Sequence, residues 1–291
     1  MNDNYDKSFI IDATGIVLKY WFTIPPIKTQ KFLSISALVG FSNFVKSFLK
    51  THKPKRVCFA FDESLGTCFR NNIYRKYKQN RPMAPDELKV QFKLCRELLN
   101  ILGLQNFAST EYEADDLLFT ISRTNFKNKI RNVVITNDKD LFQIINKKDI
   151  WWNLKTKKLT YDDIYNLLGF SPKYFAEFQG LMGDSTDCIP GAPGIGSKTA
   201  KKLISHYKTL DEIYDNISEI PEVFGSKYAR VSKILLENKK IIYTSKKLAK
   251  LVSVHNHEIS DKRNLSDIPA LKDFFEYIGL KEFSADSWLG L

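Results

Sequence analysis

Cysteine and histidine are scarce: four of each in 291 residues. Cys58, Cys68, Cys95 and Cys188 form no Cys-x-x-Cys pair. Cysteines scattered in this way are expected to stay reduced, three of them as small core residues. His255 and His257 stand two apart, but a zinc site needs more ligands than that pair supplies, so no metal role is expected there. No stretch of about 18 uninterrupted apolar residues occurs, and with it goes the expectation of a transmembrane helix. The start, Met1 to Lys7, lacks the basic and apolar regions of a secretory signal; a cytoplasmic protein with no membrane partner is the expectation. Internal repeats and low-complexity linkers are also missing.

Basic residues are in excess. The net charge is +11 and the isoelectric point near 9.3, a balance that suits a polyanionic partner. A solvated Lys-rich surface would give the same numbers, so composition leaves both readings open. Hydrophobic content of 43% and charged content of 26% are those of an ordinary globular chain,, long enough for one large domain or two smaller ones.

Strand and helix signals alternate in the first half. Ser8–Asp12, Arg56–Asp62 and Asn132–Thr136 are short apolar runs of strand type. Between them, Ser36–Lys50 places Leu38, Phe41, Phe44, Val45 and Phe48 on one helical face. Pro85–Leu102 does the same with Leu88, Phe92, Cys95, Leu98, Leu99 and Leu102. Ala114–Ser122 reads as a further helix. Such alternation predicts crossover units and a parallel sheet. From about Ser171 helices take over: Pro172–Met182, a tight glycine hairpin at 191–196, Lys198–His206, and Leu271–Ile278 stopped by Gly279. The expected division is an α/β domain over 1–171 and a helical domain over 172–291.

Acidic residues follow the strands. Asp12, Asp62 and Asp138 each stand at or just past a strand end, with Asp140 two residues further on. In an open parallel sheet these ends share one edge, where ligands bind. A single such aspartate is ordinarily a helix cap or turn residue; three of them weaken that explanation. A second group is Glu113-Ala-Asp115-Asp116 at a helix entrance, and a third is Asp184 and Asp187, again three apart. Nine carboxylates in one place would raise one another's pKa and could not all ionise unaided. An all-oxygen donor set calls for Mg²⁺ or Mn²⁺. Two such ions about 4 Å apart can activate a water and stabilise a leaving oxygen in phosphodiester cleavage.

These segments, in order from about residue 8 to 205, resemble the 5′-nuclease domain of bacterial DNA polymerase I, its stand-alone 5′-3′ exonuclease relatives and, more distantly, flap endonucleases. The likeness rests on Phe9–Asp12, Phe59–Asp62, Phe69–Arg81, Tyr112–Leu117, Val134–Leu141 and Gly180–Thr199. Glu113-Ala-Asp-Asp116 and the run from Gly183 to Gly196 are its most specific parts. It implies a PIN-like or resolvase-like α/β nuclease body with a mostly parallel sheet. It also implies a helical part containing a helix–hairpin–helix (helix–three-turn–helix) element. As metal ligands it implies Asp12, Asp62, Glu113, Asp115, Asp116, Asp138, Asp140, Asp184 and Asp187. Asn137 stands where Gly is usual, Cys188 where Asn is usual, and Lys19-Tyr20-Trp21 is atypical. The chain ends at Leu291, so a separate protein is expected to supply the polymerase.

Phe69–Arg81 interleaves Arg70, Arg75, Lys76, Lys78 and Arg81 with Phe69, Tyr74 and Tyr77, a pattern that suits single-stranded nucleic acid or, more plainly, a solvated face. The resemblance makes residues 69–85 a basic gateway over the active site. Tyr77, Lys78 and Arg81 would be its catalytic residues, with Lys78 on the scissile phosphate. The run from Gly191 to Thr199 misses the Walker spacing by one residue, Ser197, and lacks the preceding strand. As a hairpin it would present Gly191, Gly194, Gly196 and Ser197, with Lys198, Lys201 and Lys202, to duplex phosphates. The family often holds K⁺ at this turn. The implied activity is metal-dependent hydrolysis of DNA 5′ ends, nicks and flaps, with RNA primers as a further substrate. A non-catalytic DNA-binding protein on the same fold and a PIN-type ribonuclease are the competing readings.

Overall fold

The computed structural model describes residues 6–32, 34–153, 157–254, 261–280 and 284–291. His255 and His257 lie outside them. A six-stranded sheet forms the centre, in the order β3-β2-β1-β4-β5-β6. Its strands are β1 (Lys7–Asp12), β2 (Arg56–Asp62), β3 (Gln105–Ser109), β4 (Arg131–Ile135), β5 (Ile150–Trp152) and β6 (Lys158–Thr160). All neighbours pair in parallel except β5 with β6. The chain winds outward from β1 through β2 to β3, then restarts at β4 on β1's other side. The order therefore reverses between β1 and β4, where a crevice opens beyond the carboxyl ends.

Side chains alternate across the sheet, as a period of two requires. Phe9, Ile11, Val57, Phe59, Phe61, Val133 and Ile135 face one core. It is covered by α1 (Ala13–Thr23), α2 (Ser36–His52) and, after the short α3 (Phe69–Ile73), by α4 (Asp86–Ile101). Ile10, Cys58, Ala60 and Val134 face the other. That face is covered by α5 (Ala114–Lys127) and by helices of the second half. In chain order these are α6 (Tyr161–Leu168), α7 (Phe175–Met182), α8 (Ser197–Tyr207), α9 (Leu210–Asp215), α10 (Ile220–Phe224), α11 (Ala229–Glu237) and α12 (Lys239–Ala249).

The last helix departs from the expected division at 171/172. In α13 (Ile268–Ile278), Leu271, Phe274, Phe275 and Ile278 are buried in the first core, against α4. Its apolar stripe packs on the far side of the sheet, as do Ala285 and Trp288, so α13 belongs with the α/β body and not with the helical part. The expected helix from Pro172 opens instead as a 3₁₀ turn, Pro172–Tyr174, before α7 begins. Cys58, Cys68 and Cys95 are buried and, like Cys188, free.

Candidate active site

The carboxyl edge of the sheet gathers the predicted acids. Asp12 ends β1 and caps α1, accepting from the Gly15 N–H at 3.1 Å and from the Thr136 hydroxyl at 3.0 Å. Asp62 ends β2; its Oδ1 accepts from the Ser64 N–H and hydroxyl. Past β4, the Thr136 hydroxyl accepts from the Asp138 N–H and the Asp138 carboxylate from the Asp140 N–H. The Asp138 turn is thus held by a hydroxyl that also holds Asp12. Asp12, Asp138, Asp140, Asp184 and Asp187 line one open cavity of about 670 Å³.

Charge in this cavity is under strain. Burial, then the charges of Asp138 and Asp62, push the Asp12 carboxyl up to about 6, against the hydrogen bonds from Gly15 and Thr136. Asp140 is raised to about 7 by burial and by Asp138, Asp187 and Asp184, against the hydrogen bond from Gln179. Asp115 is held well above the usual carboxylate range by burial and by Asp138 and Asp12. Among the described residues no three His, Cys, Asp or Glu form a ready-made cage for an ion. Mg²⁺ does not require one: it keeps waters, takes one or two carboxylates and completes its shell with substrate phosphates. Mutually repelling carboxylates on one wall fit that ion.

This strain has a testable sign. Unfolded, these carboxyls titrate near 3.8; folded, Asp12 does so near 6 and Asp140 near 7. Between those values the folded chain holds more protons than the unfolded one, so their contribution to stability falls as pH rises. In chelator, the melting temperature is expected to decline from about pH 4.5 to about pH 7.5. Asp140→Asn should make that decline shallower. Identical pH profiles for the two proteins in thermal melts would rule out Asp140 as a source of the strain.

The gateway segment lies over these acids. Lys78 is 9% exposed; its ammonium bonds Glu113 and approaches Asp187 Oδ2 at 3.6 Å. Its backbone is left-handed, φ 52°, and its N–H donates to the Asp187 carbonyl at 3.0 Å. Tyr77 donates its hydroxyl to Glu113 Oε2 at 3.0 Å, and Arg81 pairs with Asp187. Burial alone would raise the Glu113 pKa; Lys78 and Arg70 more than offset it, and the carboxyl stays below its usual range. Burial and the Glu113 charge push the Tyr77 phenol well up. Arg75 and Lys76 are exposed, as nucleic-acid contacts must be.

Two expected roles are corrected. Arg70, expected to contact DNA, is 1% exposed. Its guanidinium donates to both Asp116 oxygens, at 2.6 and 2.8 Å, and to the Leu248 and Lys250 carbonyls. Asp116, expected to be a metal ligand, is fully buried by the same pair, and its oxygens also accept from the Glu113 and Val252 N–H groups. Both carboxylate oxygens are engaged, so the pair ties the gateway and α5 to the chain after α12. Sequence spacing could not separate Arg70 from its basic neighbours. Gln179 was missed: buried on α7, it donates to Asp140 Oδ1 at 2.8 Å. Only the position of its helix against the cavity reveals it.

Asp184 and Asp187 stand on a loop closed by the bridge between Asp184 and Ile189. Gly183 (φ 73°) and Gly191 (φ 63°) pass each other so closely that a Cβ on Gly191 would meet the Gly183 nitrogen at 2.3 Å. Gly191→Ala combines a left-handed penalty with a backbone clash, each costing about 1–3 kcal/mol. It is expected to lower stability by at least ~2 kcal/mol in denaturant melts. Beyond it, Gly194, Gly196 and Ser197 are exposed and lead into α8, with Lys198 and Lys201 on the surface. Lys201 spends one donor on the Leu167 carbonyl at 3.1 Å.

Comparison with known proteins decides what this acid-lined edge belongs to. Residues 7–169 match the family model described as the 5′-3′ exonuclease N-terminal resolvase-like domain, and residues 170–267 the 5′-3′ exonuclease C-terminal SAM fold. The chain belongs to the 5′-3′ exonuclease family. As a member it is a nuclease, a hydrolase of phosphodiester bonds. It is 31% identical over 264 residues to the 5′-3′ exonuclease of Buchnera aphidicola, covering 90% of this chain and 86% of that one. With the Aquifex aeolicus 5′-3′ exonuclease it shares 29% over 277 residues, 94% and 92% of the two chains. The DNA polymerase I of Caldicellulosiruptor bescii is 33% identical over 84% of this exonuclease, which spans only 29% of that protein's length. Two solved structures share the fold. Phage T5 5′-exonuclease with bound zinc has a TM-score of 0.65 at 18% identity, over 97% and 98% of the two chains. The catalytic core of Rad2 with DNA has 0.62 at 19%, over 98% and 90%. No helix among the described residues is long and apolar enough to cross a membrane.

Proposed function

We propose that this chain is a divalent-metal-dependent 5′-3′ exonuclease and structure-specific 5′-flap endonuclease, acting on DNA in primer removal and repair. The observation that carries the reading is the cavity in which Asp12, Asp138, Asp140, Asp184 and Asp187 meet beneath Lys78 and Arg81. Asp12, Asp62, Glu113, Asp115, Asp138, Asp140, Asp184 and Asp187 would hold two or more Mg²⁺ or Mn²⁺ ions. When bound, these supply a Lewis acid and an activated water. The chain's own residues do the rest. Gln179 and Thr136 fix the carboxylates, and Lys78 and Arg81 turn from Glu113 and Asp187 to the scissile phosphate. Arg75 and Lys76 track the single strand. The glycine hairpin, with Lys198 and Lys201, takes duplex phosphates and holds a K⁺ at its turn. Backbone contact of this kind gives little sequence preference. RNA primers on DNA would serve as substrate, and the site of action would be the cytoplasm.

The test is cleavage of 5′-labelled flap, nicked, blunt and single-stranded DNA, with Mg²⁺ and with excess chelator. Cleavage at the flap junction with Mg²⁺ alone is the expected result. Robust cutting in chelator would overturn the metal mechanism, and binding without cutting would favour a non-catalytic DNA-binding role.

A further inference from the structure

We infer that α11 carries a second duplex-binding strip, in which Lys227, Arg230 and Lys233 take backbone phosphates of the same DNA that the glycine hairpin holds. The inference rests on the DNA-cleaving reading above and adds a surface to it. A Cβ on Gly194, at the hairpin tip, would lie 3.6 Å from Ile234 Cδ1, so α11 stands directly beside the turn. Arg230 precedes Ile234 by four residues and shares its face; it therefore stands on the side of α11 nearest the hairpin. Lys233 is one turn on from Arg230, and Lys227 leads into the helix. All three are exposed.

Charge runs on helices are commonly solvated faces, and three observations set this one apart. Lys227 and Arg230 have no ion pair among the described residues, and Lys233 reaches only its own helix's Glu237, at 3.8 Å with both side chains exposed. Glu237 is the sole acid of α11. The floor between the hairpin helix and α11 is also basic and built: Lys202 of α8 lies over the rings of Phe224 and Tyr228, 4.9 and 5.0 Å from their centroids. Lys198, Lys201, Lys202 and His206 line a shallow basin on that side. Glu219 and Glu222, at the cap and in the first turn of the neighbouring α10, are exposed too. Among the described residues neither forms an ion pair with Lys227 or Arg230, so these two cations and the weakly paired Lys233 are available to a polyanionic backbone.

The test uses the full chain carrying Asp138→Asn, so that DNA is not cut, with duplex and single-stranded oligonucleotides titrated over a range of KCl. Lys227→Ala/Arg230→Ala/Lys233→Ala is expected to flatten the dependence of log affinity on log salt for duplex by about 2 to 3 units, near 0.9 per lost phosphate contact. Single-strand affinity should stay unchanged, since the gateway is untouched. Arg230→Lys, which keeps the charge, should keep the slope, whereas Arg230→Gln should lose about one unit. These single changes remain readable if the triple variant melts early. An unchanged duplex slope in the triple and Arg230→Gln variants, or an equal loss on single strands, overturns the strip while leaving the nuclease reading intact. No salt-dependent duplex binding by the parent protein would overturn both.

Discussion

Single-turnover cleavage of a 5′-flap is expected to fall at least ~100-fold when Asp138 or Asp140 is replaced by Asn. Both lie beyond β4, and both line the acid cavity. Asp138 also raises the pKa of Asp12, Asp115 and Asp140, which places it electrostatically at the centre of the group. Asn is nearly isosteric, so the turn can persist while a ligand charge is lost. DNA affinity should hold or rise, because removing a negative charge does not weaken attraction to a polyanion. Near-normal turnover by Asp138→Asn at saturating flap and millimolar Mg²⁺ would remove this acid from the mechanism. Loss of binding in step with rate would point to a role in the fold.

Lys78→Ala is expected to lower the same rate by about 100-fold, with a much smaller change in duplex affinity. Two effects add. A cation that would face the phosphate is gone, and Glu113 and Asp187 lose the ammonium between them. Lys78→Arg separates these effects, since it restores charge but not the compact ammonium. Partial recovery of rate with full recovery of thermal stability is the expected outcome. The hairpin double variant Lys198→Ala/Lys201→Ala should show the reverse pattern, weaker duplex binding with a nearly unchanged rate at saturation. If it loses rate and keeps affinity, the division between gateway and hairpin is wrong.

Much of this was legible because the chemistry repeats a local pattern. Apolar runs that end in Asp mark both a strand and its carboxyl end, so β1, β2 and β4 could be read together with Asp12, Asp62 and Asp138. β3 was not legible: Gln105–Ser109 is a half-buried edge strand without an apolar run. β5 and β6 have three residues each, too few to show a period. The α13 stripe is plain in the sequence, but nothing local says which core will bury it. Arg70 illustrates the limit best. Among five neighbouring cations its identity carries no mark, and burial is decided by Asp116, 46 residues on, and by carbonyls at 248 and 250. Cys188 was visible as a departure, and its left-handed backbone, φ 57°, shows why Asn suits that place,.

The sheet's second face has a consequence for how the molecule comes apart. Ile10, Cys58, Ala60 and Val134 share one continuous core with Leu181, Leu203, Leu235 and Ile242, and the last helix crosses back to the opposite face. Neither half owns a complete interior. Cut near residue 170, the first piece would bare the apolar face of its own sheet to water and lose α13 as well, and would be prone to aggregate. The intact chain should melt in a single transition, with calorimetric and van't Hoff enthalpies equal. Distance between the hairpin that grips the duplex and the acids that cut it would then be set by a rigid interior, and the position of the cut along the DNA fixed by the molecule as by a ruler.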